Sequence, residues 1–184
     1  MPILSNIIND FCNCGVSIRL GINFAALTAS RRRSATLPYT IEWGKHPSRM
    51  PLRIKKYDQF ELTVFKAFGA VTSEQITDAL KCFYEETDAK PTKYALWDMR
   101  GASLEALDHW EAMWITQVVE YIGHGRDNGK TAIVAADDYD FDISRVIATC
   151  VPINLVIARA YRTIDEAAEW FRMDAERVKD LTNF

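Results

Sequence analysis

The sequence is poor in the residues that hold small secreted or metal-dependent folds together, with four cysteines and three histidines among 184 residues. Apart from Cys12 and Cys14 the cysteines lie far apart, and neither CxxC pairs nor an HExxH motif occurs. We therefore expect no metal and no cofactor. A chain of this length builds a core without disulfides, so we expect reduced thiols and a cytoplasmic location.

Long uncharged apolar runs are also lacking. None approaches the ~20 residues that a transmembrane helix needs, so no transmembrane segment is predicted. The net charge is −3 and the pI is about 5.7, which argues against a dedicated nucleic-acid-binding protein. The composition, with 48% hydrophobic and 26% charged residues, is that of an ordinary globular domain and excludes a disordered chain.

Charge and pattern change near residue 50. Residues 1–49 hold six basic and two acidic residues, whereas residues 50–184 hold 16 basic and 23 acidic residues. We interpret 1–49 as an N-terminal extension and 50–184 as the folded domain. The extension has three interpretations: a targeting segment, an accessory arm with an edge strand at Tyr39–Trp43, or sequence upstream of a true start at Met50.

From Met50 onward, apolar runs and helical patterns alternate in the order β-β-α-β-α-β-α-β-α. The first two strands are joined by a tight turn and should pair antiparallel, and the crossovers to the later strands predict parallel pairing. The predicted strands are Leu52–Tyr57, Phe60–Phe68, Tyr94–Met99, Thr131–Ala136 and Leu155–Tyr161. The fold class is therefore α/β, with a mixed, mostly parallel sheet of about five strands and about four helices.

Capping boxes at Thr72–Gln75 and Thr163–Glu166 predict the starts of the first and last helices. The longest predicted helix is Leu104–Ile122, in which Trp110 and Trp114 are four residues apart. We expect these two tryptophans to pack in the core or on a dimer face, so a homodimer is possible. A further helix is predicted from about Phe141 to Val151, before Pro152, and the tail from Asp174 should prolong or fray the last helix.

Three motifs resemble small SpoIIAA-like proteins of the STAS group, also described as STAS/SEC14-like. They are Ala95–Gly101 (ALWDMRG), Gly129–Ala135 (GKTAIVA) and Tyr161–Trp170 (YRTIDEAAEW). The likeness covers about residues 50–172 and implies a SpoIIAA-like fold and a regulatory or binding role. In anti-sigma factor antagonists a phosphorylatable serine follows the Asp-containing strand end, but Leu107 and Asp108 stand at the equivalent positions here.

Ligands of open α/β sheets collect beyond the carboxyl ends of parallel strands. Those ends carry Asp98, Arg100 and Ser103 on one loop, and Asp137 and Asp138 on another. We name these five residues as candidate ligand-binding residues. A salt-bridge network is the favoured explanation of the charged ones, and Ser103 is more simply a helix N-cap.

Other apparent motifs fail on spacing or context. Gly123–Thr131 has one residue too many for a P-loop and leads into a strand instead of a helix. The acidic run Asp137–Asp142 lacks the glycine and terminal glutamate of a calcium loop and fits helix capping better. Cys82 and Cys150 are expected in the core, and the three histidines at the surface.

Two functions remain open, beside a third interpretation, an enzyme that uses the strand-end acids, which needs carboxylates with raised pKa values in a cleft. The first is a non-enzymatic regulatory or binding module for a protein partner or a small ligand. The second is a SEC14-like carrier of an apolar ligand or lipid, which needs an internal cavity of several hundred Å³.

Overall fold

A computed structural model of the chain describes residues 51–86, 92–122 and 129–184, together with the backbone of 16–18 and 40–43. Side chains at 82–86 and 121–122 lie outside this description. The strands are β1 (Val16–Ile18), β2 (Thr40–Trp43), β3 (Leu52–Tyr57), β4 (Leu62–Ala70), β5 (Tyr94–Ser103), β6 (Gly129–Val134) and β7 (Val156–Tyr161). The helices are α1 (Ser73–Glu86), α2 (His109–Ile122), α3 (Asp138–Cys150), α4 (Ile164–Phe171) and α5 (Ala175–Thr182).

The sheet has the strand order β1-β2-β3-β4-β5-β6-β7. β3 and β4 pair antiparallel, with Ile54 opposite Phe65, whereas β4, β5, β6 and β7 pair in parallel. The predicted α/β class and the mixed, mostly parallel sheet are confirmed.

Helices cover both faces of this sheet. Consecutive parallel strands are neighbours, so right-handed crossovers place α1, α2 and α3 on the same face. That face has its own core, which includes Phe65, Met99 and Ile115. α4 and α5 cover the opposite face, where Leu62, Leu96 and Phe171 are buried. β4, β5 and β6 therefore present apolar side chains on both faces, the pattern of a parallel sheet covered by helices on both sides.

The start of α2 differs from the prediction. The helix begins at His109 instead of Leu104, because the Oδ1 of Asp108 accepts hydrogen bonds from the backbone N–H groups of Trp110 and Glu111. Ser103 is the last residue of β5, so its predicted role as the N-cap of this helix is wrong.

The end of the chain adds a fifth helix, where four were predicted. Arg172 adopts the left-handed conformation (φ 62°) and ends α4, and Asp174 then caps a separate helix through the N–H of Arg177. The Tyr57 hydroxyl donates to the carbonyl of Leu181 at 2.7 Å and holds α5 on the sheet. Burial raises the pKa of Tyr57 to about 12.

β2 lies beside β3, with Ile41 opposite Ile54, so β3 is an inner strand of the sheet and not its antiparallel edge. The predicted edge strand at Tyr39–Trp43 overlaps β2, and β1 lies beside it on the outer side, while the three interpretations of 1–49 stay predictions. The apolar residues near the N-terminus and Arg31–Arg33, on which the targeting interpretation depends, lie outside the described residues.

We expect residues 50–184 to fold without the extension, because both capping boxes lie after Met50 and the described side chains of that part already form two cores. Thermal unfolding of the chain lacking 1–49, followed by circular dichroism, should give one cooperative transition. A truncated chain that shows no transition would mean that β1 and β2 are required for folding.

Candidate functional site

The carboxyl end of β5 holds a buried carboxylate beside an arginine. Asp98 is 2% exposed, and its two oxygens accept from Nε and Nη2 of Arg100 at 2.8 and 2.9 Å. The backbone N–H of Arg100 donates to the same carboxylate at 3.3 Å. The hydrogen bond with Asp98 raises the pKa of the Arg100 guanidinium above its usual value. The pair is therefore a fixed, bidentate ion pair.

The second acidic loop follows β6 and begins α3. The Oδ1 of Asp137 accepts from the N–H of Tyr139 and caps the helix, as the dipole argument predicts. The helix starts at Asp138, three residues before the predicted position. Asp138 itself is paired with Nη2 of Arg162 at 2.7 Å.

The five predicted site residues therefore lie in two groups. Asp98 shares a sheet face with Leu96, which packs in the core beneath α4 and α5. Asp137 and Asp138 begin α3, which covers the opposite face. The oxygen of Ser103 accepts from the N–H of Glu105 in a local turn. Within the described part of the chain, Asp98, Asp137 and Asp138 are hydrogen-bonded to other groups of the protein.

Asp140, which the sequence analysis did not single out, is the other buried acid in this region. It is 5% exposed, and its Oδ1 accepts from the N–H of Leu104 at 2.7 Å, which ties the segment after β5 to α3. Burial raises the pKa of Asp140, while the Leu104 hydrogen bond opposes that shift. The spacing Asp137–Asp140 indicated helix capping but not this contact.

We expect Asp140→Asn to show a pH-dependent stability difference. A carboxyl group whose pKa is raised on folding costs stability as the pH rises through and above its normal pKa, so the variant should exceed the parent at neutral pH. The difference should shrink as the pH falls toward about 4. Urea unfolding across this range tests it, with the exposed Asp142→Asn as control. A pH-independent difference for Asp140→Asn would contradict the assignment.

An apolar cavity of about 70 Å³ lies between the sheet and α1, α2 and α3. Phe65, Trp97 and Ile133 line it from the strands, and Ile115 and Ile147 line it from the helices. Its volume is well below the several hundred Å³ that a lipid carrier needs.

The outer face of α2 is apolar and exposed. Trp110 is 77% exposed, Trp114 53% and Met113 43%. The predicted packing of the two tryptophans in the core is therefore wrong, because the buried stripe of α2 runs through Ala112, Ile115 and Val118 instead. We refer to Trp110, Met113 and Trp114 as the α2 face.

Two other local predictions have clear outcomes. Cys150 is exposed at the end of α3, so its predicted place in the core is wrong, and the side chain of Cys82 lies outside the described residues. His109 is exposed as predicted, and His46 and His124 lie outside the described residues. Lys130, which belongs to the rejected P-loop motif, donates from its Nζ to the carbonyl of Trp170 at 2.9 Å.

The described residues also lack two kinds of feature. No helix in this part of the chain is both long and apolar enough to cross a membrane. Within the same ranges, no three histidine, cysteine, aspartate or glutamate side chains are grouped so that they would hold a metal ion.

Comparison with known proteins gave a match among solved structures only. Neither the protein-family models nor the curated proteins give a match. A crystal structure of an uncharacterized DUF3478-family protein from Shewanella loihica PV-4, described as having a SpoIIAA-like fold, is similar to this chain. The two are 21% identical, and the match covers 65% of this chain and 91% of the other, with a TM-score of 0.40.

Proposed function

We propose that this protein is a non-enzymatic binding module that docks a protein partner on the α2 face. The exposure of Trp110 carries the proposal, because a tryptophan that leaves 77% of its surface in water is unusual unless it serves as a contact. Trp114 and Met113 extend the apolar surface along the same helix. Tryptophan and methionine are enriched in protein interfaces, and tryptophan is among the commonest anchors.

The charge around the α2 face indicates what kind of partner binds. The segment 103–122 contains four acidic residues, Glu105, Asp108, Glu111 and Glu120, and neither lysine nor arginine. Arg145, on the neighbouring helix α3, is 3.7 Å from Asp142 and is partly neutralised by it. An apolar centre with acidic flanks favours a basic amphipathic segment, whose lysines or arginines also stack on tryptophan rings.

The strand-end residues support a binding role less well. Each predicted acid there already has a partner: Arg100 for Asp98, the helix N-terminus for Asp137 and Arg162 for Asp138. An enzyme that used these acids would need carboxylates poised for proton transfer. Their pairing instead favours the salt-bridge interpretation of this cluster.

The experiment is a titration of the full chain with a synthetic peptide of about 18 residues, with leucine and lysine at helical spacing. We expect saturable binding, followed by tryptophan fluorescence, that weakens with salt because it depends on exposed charges. Replacing both Trp110 and Trp114 by alanine should weaken binding by about tenfold or more. Ile153→Ala is the matched control, since Ile153 is 79% exposed on a different segment.

Three results would contradict this function. Equal binding of a peptide with glutamate in place of lysine would show that the acidic residues around the α2 face do not select a basic partner. Unchanged affinity in the variant with both tryptophans replaced would show that the peptide does not bind on the α2 face. Sedimentation that shows a dimer of the parent and a monomer of the double variant would assign this face to a second copy of the chain.

A further inference from the structure

The cavity beneath α2 contains a polar group that its surroundings do not satisfy. Ser144 lies within α3 and is 0% exposed, and its Oγ has no hydrogen-bond partner among the described residues. The Ser144 side chain is one of those that line the cavity. A buried hydroxyl without a partner costs free energy, and most such groups in folded proteins are satisfied.

The rest of the lining is almost entirely apolar. Among the described residues that line the cavity none is charged, and the polar ones are Ser144 and Thr131. Six of the apolar residues are Phe65, Ile76, Trp97, Ile115, Ile133 and Ile147. Dispersion and the exclusion of water from these surfaces favour a neutral, apolar occupant.

Water is a poor occupant for such a space. A buried water usually makes about three hydrogen bonds, and an apolar cavity too poor in polar groups to supply them stays dry. The volume of about 70 Å³ is well above the roughly 10–15 Å³ that a single water needs, so the space is large enough for a small molecule. The same space suits a few carbon atoms together with one oxygen.

We propose that this cavity binds a small neutral molecule that is apolar except for one hydroxyl or carbonyl group, which hydrogen-bonds to Ser144. The Ser144 hydroxyl donates to a carbonyl or accepts from a hydroxyl, so both kinds of group satisfy it. Val151 and Leu155, which line the cavity near the turn between α3 and β7, are half-buried and mark the side nearest to solvent. This inference does not depend on the proposed docking of a protein on the outer face of α2.

The test is an NMR titration of the full chain with 1-butanol, which follows the backbone amides of Ser144 and Ile133. We expect saturable shifts in the parent and an affinity lower by about tenfold in Ser144→Ala, because the hydroxyl partner is lost. Ser103→Ala is the matched control, since Ser103 lies at the end of β5 and does not line the cavity. It should bind 1-butanol like the parent.

Xenon binding tests the apolar cavity separately from the Ser144 hydroxyl. Dry apolar cavities bind xenon through dispersion alone, so the parent and Ser144→Ala should bind it equally. Equal butanol affinities in the parent and Ser144→Ala would overturn the proposal, as would the absence of saturable butanol binding in the parent. An ordered water on Ser144 that butanol fails to displace would also overturn it.

Discussion

Replacement of Arg100 by methionine is expected to lower the free energy of unfolding by about 3 kcal/mol. The substitution leaves Asp98, which is 2% exposed, without the two guanidinium hydrogen bonds that hold its charge. Truncating one partner of a buried pair costs more than the pair itself contributes, because the remaining charge is neither solvated nor paired. Breaking a buried ion pair usually costs about 3–5 kcal/mol. We expect the low end of that range because the Arg100 side chain is 40% exposed.

Urea unfolding at neutral pH measures this loss. Arg145→Met is the matched control, because Arg145 and Asp142 are 66% and 72% exposed and 3.7 Å apart. The control should change stability by less than about 0.5 kcal/mol. Arg100→Lys should fall between the two, since an ammonium group cannot reproduce the bidentate contact. A fully stable Arg100→Lys protein that no longer bound a phosphate- or carboxylate-bearing ligand of the parent would show an anion site instead.

Phe65→Ala is expected to cost about 4 kcal/mol. Phe65 is 1% exposed at the centre of β4, and its ring stacks on Trp97 with centroids 4.2 Å apart and planes 3° from parallel. The substitution removes both the buried ring and this stack, and it enlarges the apolar cavity that Phe65 lines.

Phe68→Ala is the control for this second change. Phe68 lies three residues farther along the same strand and is 36% exposed, so its removal should cost about 1 kcal/mol or less. Thermal or urea unfolding of the two variants compares them directly. Equal losses would mean that Phe65 is not the centre of the core on this face.

Local patterns in the sequence were sufficient to predict the five strands that follow Met50 and how they pair. Leu52–Tyr57 is a strand with the predicted bounds, and the antiparallel and parallel pairings follow from turn length and crossover length. Thr163 begins α4 through the predicted capping box, with Glu166 bonding back to the backbone. These features depend on residues near one another in the chain, so the sequence alone determines them.

The sequence was a poorer guide to which side of a helix is buried. Trp110 and Trp114 are strongly apolar and have helical spacing, so they resemble core residues, yet Ala112 and Ile115 fill the core instead. The direction of α2 depends on its packing between α1 and α3, which periodicity alone does not determine. The same helix therefore carries both the core contacts and the exposed surface on which the proposed function depends.

The roles of Asp140 and Ser144 were not predicted, for a related reason. Asp140 and Ser144 are four residues apart on α3, but their importance comes from what surrounds them: the N–H of Leu104 for one and an apolar cavity for the other. Both surroundings are assembled from distant parts of the chain. Asp98 and Arg100, by contrast, are two residues apart, and their contact was foreseen as a salt-bridge alternative.

The most direct measurement of the central claim is an NMR map of the full chain bound to the leucine–lysine peptide. The account predicts that the largest backbone amide shifts fall on residues 109–117, around Trp110 and Trp114. It also predicts small shifts at Asp98, Arg100 and Asp138, whose side chains are already paired. If the largest shifts fall on those three strand-end residues and the amides of α2 do not shift, the account is contradicted. The binding site would then lie at the carboxyl ends of the strands.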